Sequence, residues 1–208
     1  MSYVQGDTIV AIATPPGEGG VGIIRLSGPQ ALRIGQRLCG QKPSSPLWPA
    51  RQAQFRRFYS PDGLGIDHGI TLYFPAPHSY TGEDVVELQG HGSPLALAAL
   101  LQACVKHGAR AARPGEFTER AFLNGRMDLA QAEAVADLIH ARSEAQARAA
   151  AASLEGVFSK AVAVIHGQLL QLLALVEAGL DFSEEDLGAA HDIAILEGLI
   201  ALQQHLLQ

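Results

Sequence analysis

The sequence predicts an α+β region followed by an all-α region, and three observations support this division. Short runs rich in Ile and Val alternate with a few helical patterns over residues 1–126. From Asp128 onward, the apolar patterns have helical spacing. The charge changes at the same place, because residues 1–126 carry a net charge of +3 and residues 127–208 carry −9. We therefore expect two regions with different roles.

Six strands and two helices are predicted in the first region. The strands are expected over Thr8–Ala13, Val21–Leu26, Ala53–Tyr59, Ile66–Phe74, Val85–Gln89 and Arg110–Ala112. Pro29 suits the first turn of a helix that ends near Gly40, and Ser93 precedes a second helix that ends near Gly108. Alternation along Val85–Gln89 places the Glu87 side chain on the polar face of its strand.

The second region is predicted to be helical throughout. Asp128 and Gln131 have the spacing of a capping box, and an apolar pattern follows at Ala132, Val135, Ala136, Ile139 and Ser143. The pattern resumes after Gly156, which indicates one long helix bent there or two helices. After an acidic break at Phe182–Glu185, a last helix is expected over Asp192–Leu207. It should expose Leu196, Leu199, Ile200 and Leu206 and so promote association.

Composition argues against several classes of protein. Cys39 and Cys104 lie far apart, which favours reduced thiols over a disulfide or a zinc site. The first ten residues lack the features of a signal peptide, and we find no apolar run of membrane-spanning length, so we expect a cytoplasmic protein without a membrane segment. The acidic second region disfavours strong autonomous binding of nucleic acid.

Nucleotide-binding and hydrolytic motifs are also tested. Gly17, Gly19 and Gly22 match the spacing of a dinucleotide fingerprint, but the residues that follow favour a strand instead of the required helix, so we interpret them as a hairpin turn. The 208 residues contain no GxxxxGK[ST] loop, and the only asparagine, Asn124, precedes glycine, which excludes an NKxD element. We therefore expect no catalytic and no metal-binding residue here.

Two segments gather charged residues. Pro114–Leu129 places Arg126 and three other ionisable side chains at a corner between turn signals, and Pro75–Pro94 contains Glu83, Asp84, Glu87 and His91. Together with Arg25, a carboxylate such as Glu87 suits a flat amidine-like heterocycle, and arginines suit carboxylates. The alternative is an ordinary surface ion pair between Glu87 and a neighbouring arginine, and spacing alone favours that alternative.

Three long blocks resemble the MnmE family, also called TrmE, of tRNA modification GTPases. They are TIVAIATPPGEGGVGIIRLSG, SYTGEDVVELQGHG and RPGEFTERAFLNGRMDLAQAEAVADLI. The resemblance implies an α+β domain with a mixed sheet and flanking helices, similar to folate-binding aminomethyltransferase folds. It assigns folate binding and dimerisation to residues 1–120, and an incomplete helical domain, without the inserted GTP-binding domain, to residues 121–208.

The resemblance also implies a function. The folate-contacting positions fall on Arg25, Glu87 and Arg126, the last where the family more often has lysine. The ligand would be a tetrahydrofolate derivative, 5-formyl- or 5,10-methylene-tetrahydrofolate, while GTP, potassium and magnesium would bind in the domain missing here. With the partner MnmG (GidA), in a heterotetramer, the homodimer would help add carboxymethylaminomethyl to C5 of wobble uridine in tRNA. The alternatives are a folate-dependent aminomethyltransferase and a purely structural dimerisation module.

Overall fold

The computed structural model describes residues 6–42, 44–181 and 189–207. Strands in this part of the chain are β1 (Ile9–Ile12), β2 (Gly19–Ser27), β3 (Gln54–Tyr59), β4 (Gly65–Phe74), β5 (Val85–Gly92) and β6 (Arg110–Ala111). Helices are α1 (Ala31–Leu38), α2 (Pro94–Lys106), α3 (Glu116–Leu123), α4 (Leu129–His140), α5 (Glu144–Leu154), α6 (Val157–Asp181) and α7 (Ala189–Leu206). The α+β region and the all-α region are both confirmed.

The chain forms two compact units, Met1–Met127 and Asp128–Gln208. The boundary predicted after residue 120 falls inside α3 and is placed too early. Helix α3 belongs to the first unit because its Glu116 and Arg120 are buried there against other charged groups of that unit.

The first unit is built on one mixed sheet with the strand order β3-β4-β5-β2-β1-β6. Neighbouring strands are antiparallel except β1 and β6, which are parallel. Helices α1 and α2 share one apolar core with the sheet, through buried Ile34 and Leu100 against Leu26 and Leu88. Because side chains alternate along a strand, the residues between these core positions lie on the opposite face, which we call the open face.

The glycine-rich stretch before β2 forms no nucleotide-binding turn. Strands β1 and β2 pair antiparallel, and Gly19 and Gly22 lie within β2 at an irregularity of the register. A Cβ atom at Gly22 would lie 2.6 Å from Cδ1 of Leu97, so glycine at this position lets α2 pack closely on the sheet. The interpretation of this stretch as part of a hairpin is confirmed.

The helical unit contains a break that the sequence pattern did not predict. Asp128 and Gln131 form the expected capping box, but α4 ends at His140 and α5 begins after Ser143. Ser143 has extended backbone angles and its hydroxyl accepts the N–H of Gln146, so it is an N-cap and not part of a continuous apolar face. A second break falls at Gly156, whose φ of 81° ends α5.

Helices α6 and α7 pack against each other. Leu172 and Leu202 are buried, and a Cβ at Gly198 would lie 2.4 Å from Cδ2 of Leu172. The stretch Val157–Leu180 of α6 has a mean hydropathy of 1.6 and is long and apolar enough to cross a membrane by length and composition alone. The statement that the sequence has no such run is therefore wrong, although core helices of bundles also meet this criterion. The break predicted at residues 182–185 lies outside the described residues.

A buried cluster of ion pairs holds the first unit together near α3. The Arg120 guanidinium, only 1% exposed, contacts carboxylate oxygens of Asp7, Glu83 and Glu116. Glu116 also accepts two hydrogen bonds from Arg110, at 2.6 and 3.1 Å, and one from the backbone N–H of Arg113 at 2.7 Å. The hydrogen bonds from Arg110 outweigh the effect of burial and lower the pKa of Glu116 from 4.5 to about 2.

This cluster should make the stability of the protein sensitive to acid. Since the folded pKa of Glu116 lies below its unfolded value, the ion pairs stabilise the fold fully above pH 4.5, and this stabilisation is lost as the pH falls toward 2. The shift corresponds to roughly 3 kcal/mol. We expect Glu116→Gln to lower the free energy of unfolding in urea at pH 7 by that order and to weaken its pH dependence in this window.

Glu119→Gln is the matched control for this experiment. Glu119 lies on the same helix and pairs with Arg113 at 2.8 Å, but both side chains are about 40% exposed. An exposed ion pair contributes roughly 0–1 kcal/mol, so this variant should resemble the wild type. Equal losses in the two variants would contradict a special role for the buried cluster.

Helix α7 exposes the apolar side chains that the sequence indicated. Leu196, Leu199, Ile200 and Leu206 are each between 47% and 63% exposed. We expect Leu196→Lys combined with Leu199→Lys to reduce self-association of this chain in sedimentation velocity, because the charges oppose burial of the helix face. Unchanged association of this variant would show that α7 is not a contact surface.

Candidate functional site

Strands β2 and β5 bring Arg25 and Glu87 into direct contact on the open face. The two residues are register partners, and Nη2 and Nε of Arg25 lie 2.8 and 3.0 Å from Oε1 of Glu87. Their core-side neighbours are fully buried, whereas the Arg25 side chain is 30% exposed and that of Glu87 is 13% exposed. The sheet thus presents a half-buried ion pair that remains accessible from one side.

The second oxygen of Glu87 has a different partner. Nε2 of Gln89 donates to Oε2 of Glu87 at 3.0 Å. Two Arg25 nitrogens therefore occupy one oxygen, while the other oxygen keeps capacity for a further donor. Ala11 and Leu72 lie beside this pair as register partners of Arg25 and Glu87 on the adjoining strands. The result is a carboxylate and a guanidinium with small or apolar neighbours on either side.

The loop between β4 and β5 reaches over this pair. The guanidinium carbon of Arg25 lies 5.6 Å from the centre of the Tyr80 ring, within the range of a cation–π contact. The Tyr80 hydroxyl lies 2.9 Å from the hydroxyl of Thr118 in α3. Below the loop, the hydroxyl of Ser27 lies 2.6 Å from that of Thr81 and donates to Glu83 at 2.7 Å. The loop is thus fixed both to β2 and to α3.

The same loop contacts Arg126, just after the end of α3. Asn124 donates from its side chain to the carbonyl of Thr81 at 2.7 Å, and the Arg126 N–H donates to the carbonyl of Ala121 at 2.8 Å. Gly82 has a φ of 79°, and a Cβ there would lie 3.2 Å from Cγ of Arg126. The recorded contacts join Arg25 directly to Glu87, and they connect Arg126 to this pair through the loop.

The other charged residues of Pro75–Pro94 have separate roles. Glu83 belongs to the buried cluster around Arg120. Asp84 accepts the N–H of Ala76 and lies near Tyr73, where burial first and Asp84 second raise the Tyr73 pKa to about 12. The imidazole of His91 pairs with Asp67 at 2.8 Å. None of these three is recorded in contact with Arg25 or Glu87.

Sequence reasoning missed Tyr80, Gly82 and Asn124 as parts of this site. Tyr80 and Gly82 lie in the block SYTGEDVVELQGHG, but only the charged residues of that block were considered. Asn124 was treated only as a turn residue, and its side chain proves to hold the loop. A loop of nine residues between two strands is a signal that could have indicated them, because functional contacts concentrate in such connections.

Comparison with known proteins agrees with this architecture. Residues 8–126 match the family model described as GTP-binding protein TrmE N-terminus, and residues 129–208 match the MnmE helical domain. Relatives named tRNA modification GTPase MnmE are 53% identical over 195 residues in Chromohalobacter salexigens and 55% identical over 183 and 197 residues in Ralstonia nicotianae and Dichelobacter nodosus. These alignments cover 92%, 86% and 95% of this chain.

The fold and these matches define a chain with an α+β domain followed by a helical domain. The matched regions account for both units, and they meet near the observed boundary between Met127 and Asp128. The chain belongs to the MnmE (TrmE) family. It spans about two fifths of the length of the curated relatives it matches, with 42%, 38% and 43% covered in the three named above.

Gly82 offers a direct test of how the loop holds Arg126. We expect Gly82→Ala to lower the free energy of unfolding in urea by roughly 1–3 kcal/mol more than Gly63→Ala does. Both glycines have a φ near 80°, so alanine is strained equally at both. At Gly82 the new Cβ would also lie 3.1 Å from Cβ of Asn124, whereas nothing lies within 4 Å at Gly63. Equal losses would show that the contact is loose.

Proposed function

We propose that the amino-terminal unit binds a tetrahydrofolate derivative, 5-formyl- or 5,10-methylene-tetrahydrofolate, through Arg25, Glu87 and Arg126. The observation that carries this proposal is the accessible Arg25–Glu87 pair under a loop that also contacts Arg126. The charges suit the ligand, since a carboxylate can accept the N–H groups of an amidine-like edge and guanidinium groups can bind carboxylates. Family membership supports the same assignment.

Binding would require an exchange of partners at Glu87. In the free protein Arg25 already donates to Oε1 of Glu87, so a bidentate contact with the pterin edge displaces at least one of these nitrogens. Arg25 is partly exposed, and its contact with Tyr80 gives the guanidinium a second partner during this exchange. Arg126, exposed at the end of α3, would bind the glutamate tail with a fork-shaped donor where lysine offers a point charge. The bound folate would supply a one-carbon unit.

The proposed role of the whole protein follows its relatives. They are named tRNA modification GTPases, which supports a function in tRNA modification coupled to GTP. We propose a cytoplasmic homodimer that acts with MnmG (GidA) on C5 of wobble uridine, with GTP, potassium and magnesium bound outside these 208 residues. Exposed apolar side chains of the amino-terminal unit, such as Val21, Phe55 and Leu64, provide surface that dimerisation would bury.

Titration calorimetry with 5-formyltetrahydrofolate tests the binding site. We expect Glu87→Gln and Glu87→Ala to weaken binding by at least about tenfold, because each removes a charged acceptor. Glu119→Ala, which removes an exposed carboxylate in the same unit, should bind like the wild type.

Two outcomes would contradict this proposal. Wild-type affinity in both Glu87 variants would remove Glu87 from the site. Absence of binding in the wild type, together with intact dimers, would favour the structural module, in which the Arg25–Glu87 pair only stabilises the sheet. Dimers that persist after the Leu196→Lys and Leu199→Lys substitutions would support dimerisation through the amino-terminal unit.

A further inference from the structure

The pairing of β4 with β5 ends where Asp67 replaces the backbone as a hydrogen-bond acceptor. The last register pair of these strands is Ile70 with Gln89. Beyond it, Oδ2 of Asp67 accepts the backbone N–H of His91 at 2.8 Å, and Oδ1 accepts that of His68 at 2.8 Å. Glycine at position 90 makes room for the carboxylate, since a Cβ there would lie 2.5 Å from Oδ2 of Asp67.

The Asp67 carboxylate also fixes the ring of His91. Oδ1 of Asp67 lies 2.8 Å from Nδ1 of His91. Burial raises the pKa of Asp67, but the hydrogen bonds from the His91 side chain and backbone and from the His68 backbone outweigh it and leave the pKa below its ordinary value. Asp67 is therefore ionised at neutral pH and can only accept. Consequently Nδ1 of His91 carries the proton, and Nε2 of the neutral ring is an acceptor.

The oriented ring faces outward. The side chain of His91 is 63% exposed, whereas that of Asp67 is only 7% exposed. The His68 ring packs edge-on against it at 5.3 Å between centroids. A cavity of about 230 Å³ opens beside His91 and is bordered by Glu18 and by Ser93 at the start of α2. A buried carboxylate that holds an exposed imidazole in one tautomer is the arrangement that proteins use to present a hydrogen-bond acceptor or base.

His91 lies on the same strand face as Glu87. The two residues are separated by Gln89, whose side chain donates to Glu87. Alternate residues of a strand point to one face, which places the Cα atoms of Glu87 and His91 about 13 Å apart. A ligand anchored at Glu87 and extended along β5 would therefore approach the imidazole.

We propose that His91, oriented by Asp67, is a further contact of the ligand bound at Arg25 and Glu87, and that its Nε2 accepts a hydrogen bond from an N–H group of the reduced pterin. This inference rests on the proposed folate site. Asp67 is a positioning residue, because it acts through His91. The charged and titratable groups around the imidazole are Asp67 and His68 on β4, Arg57 on β3 opposite His68, and Glu18 before β2.

His91→Asn is the sharpest variant for testing this contact. The amide nitrogen of asparagine occupies the place of Nδ1 and can still donate to Asp67, but nothing replaces Nε2. We expect calorimetry with 5-formyltetrahydrofolate at pH 8 to show binding weakened about fivefold to tenfold, the equivalent of one neutral hydrogen bond. Wild-type affinity should fall as the pH is lowered through the histidine range, because a protonated Nε2 no longer accepts, and this fall should be smaller in His91→Asn.

His68→Asn is the matched control, because it removes the neighbouring ring but leaves the pair of Asp67 and His91. Its affinity should stay within about twofold of the wild type. As a measurement free of ligand, nitrogen NMR of the imidazole should show the Nδ1–H tautomer in the wild type and a mixture in Asp67→Asn.

The outcomes separate this inference from the folate site itself. Loss of binding in Glu87→Gln together with wild-type affinity in His91→Asn would overturn the inference and leave the folate site intact. Equal losses in His91→Asn and His68→Asn would assign the effect to ring packing and also overturn it. Failure of the wild type to bind would overturn both, and an Nε2–H tautomer in the free protein would overturn the orientation by Asp67.

Discussion

The guanidinium of Arg120 is almost completely buried, and a buried charge requires partners close to it. Its three carboxylate partners come from the segment before β1, from the loop before β5 and from its own helix α3. Each of these segments is thereby held where its charge can pair with Arg120. The loop that contains Tyr80 and the helix that ends at Arg126 depend on the same cluster, so the geometry of the candidate site follows from this one buried charge.

The two faces of the sheet divide stability from function. One face is covered by α1 and α2 and contributes the apolar core. The other face carries Arg25, Glu87, Gln89 and His91 on two neighbouring strands, where polar groups remain partly accessible. Substitutions on the open face can therefore change ligand contacts without opening cavities in the core. Buried carboxylates at both ends of this face, Glu83 and Asp67, fix the segments that border it.

Most elements could be predicted from local patterns, and the errors have physical causes. The strands and α1 and α2 are marked by alternation, by Pro29 and Ser93, and by glycine at their ends, and all of them are present. The break before α5 was missed because Ser143 fits a helical apolar pattern as well as it fits an N-cap. Periodicity alone cannot distinguish the two, because only the backbone angles show that the chain is extended at this residue.

The sequence by itself determined the division into two regions, the polar face of β5 and, by resemblance, the family and the residues Arg25, Glu87 and Arg126. Those features depend on spacing along the chain, which is visible in the letters. The tertiary structure alone decided that Arg25 pairs with Glu87, that Tyr80 and Gly82 contact Arg25 and Arg126, and that His91 pairs with Asp67. Each of these contacts joins residues far apart in the chain or on different strands, so it exists only once the strand register and the position of α3 are fixed.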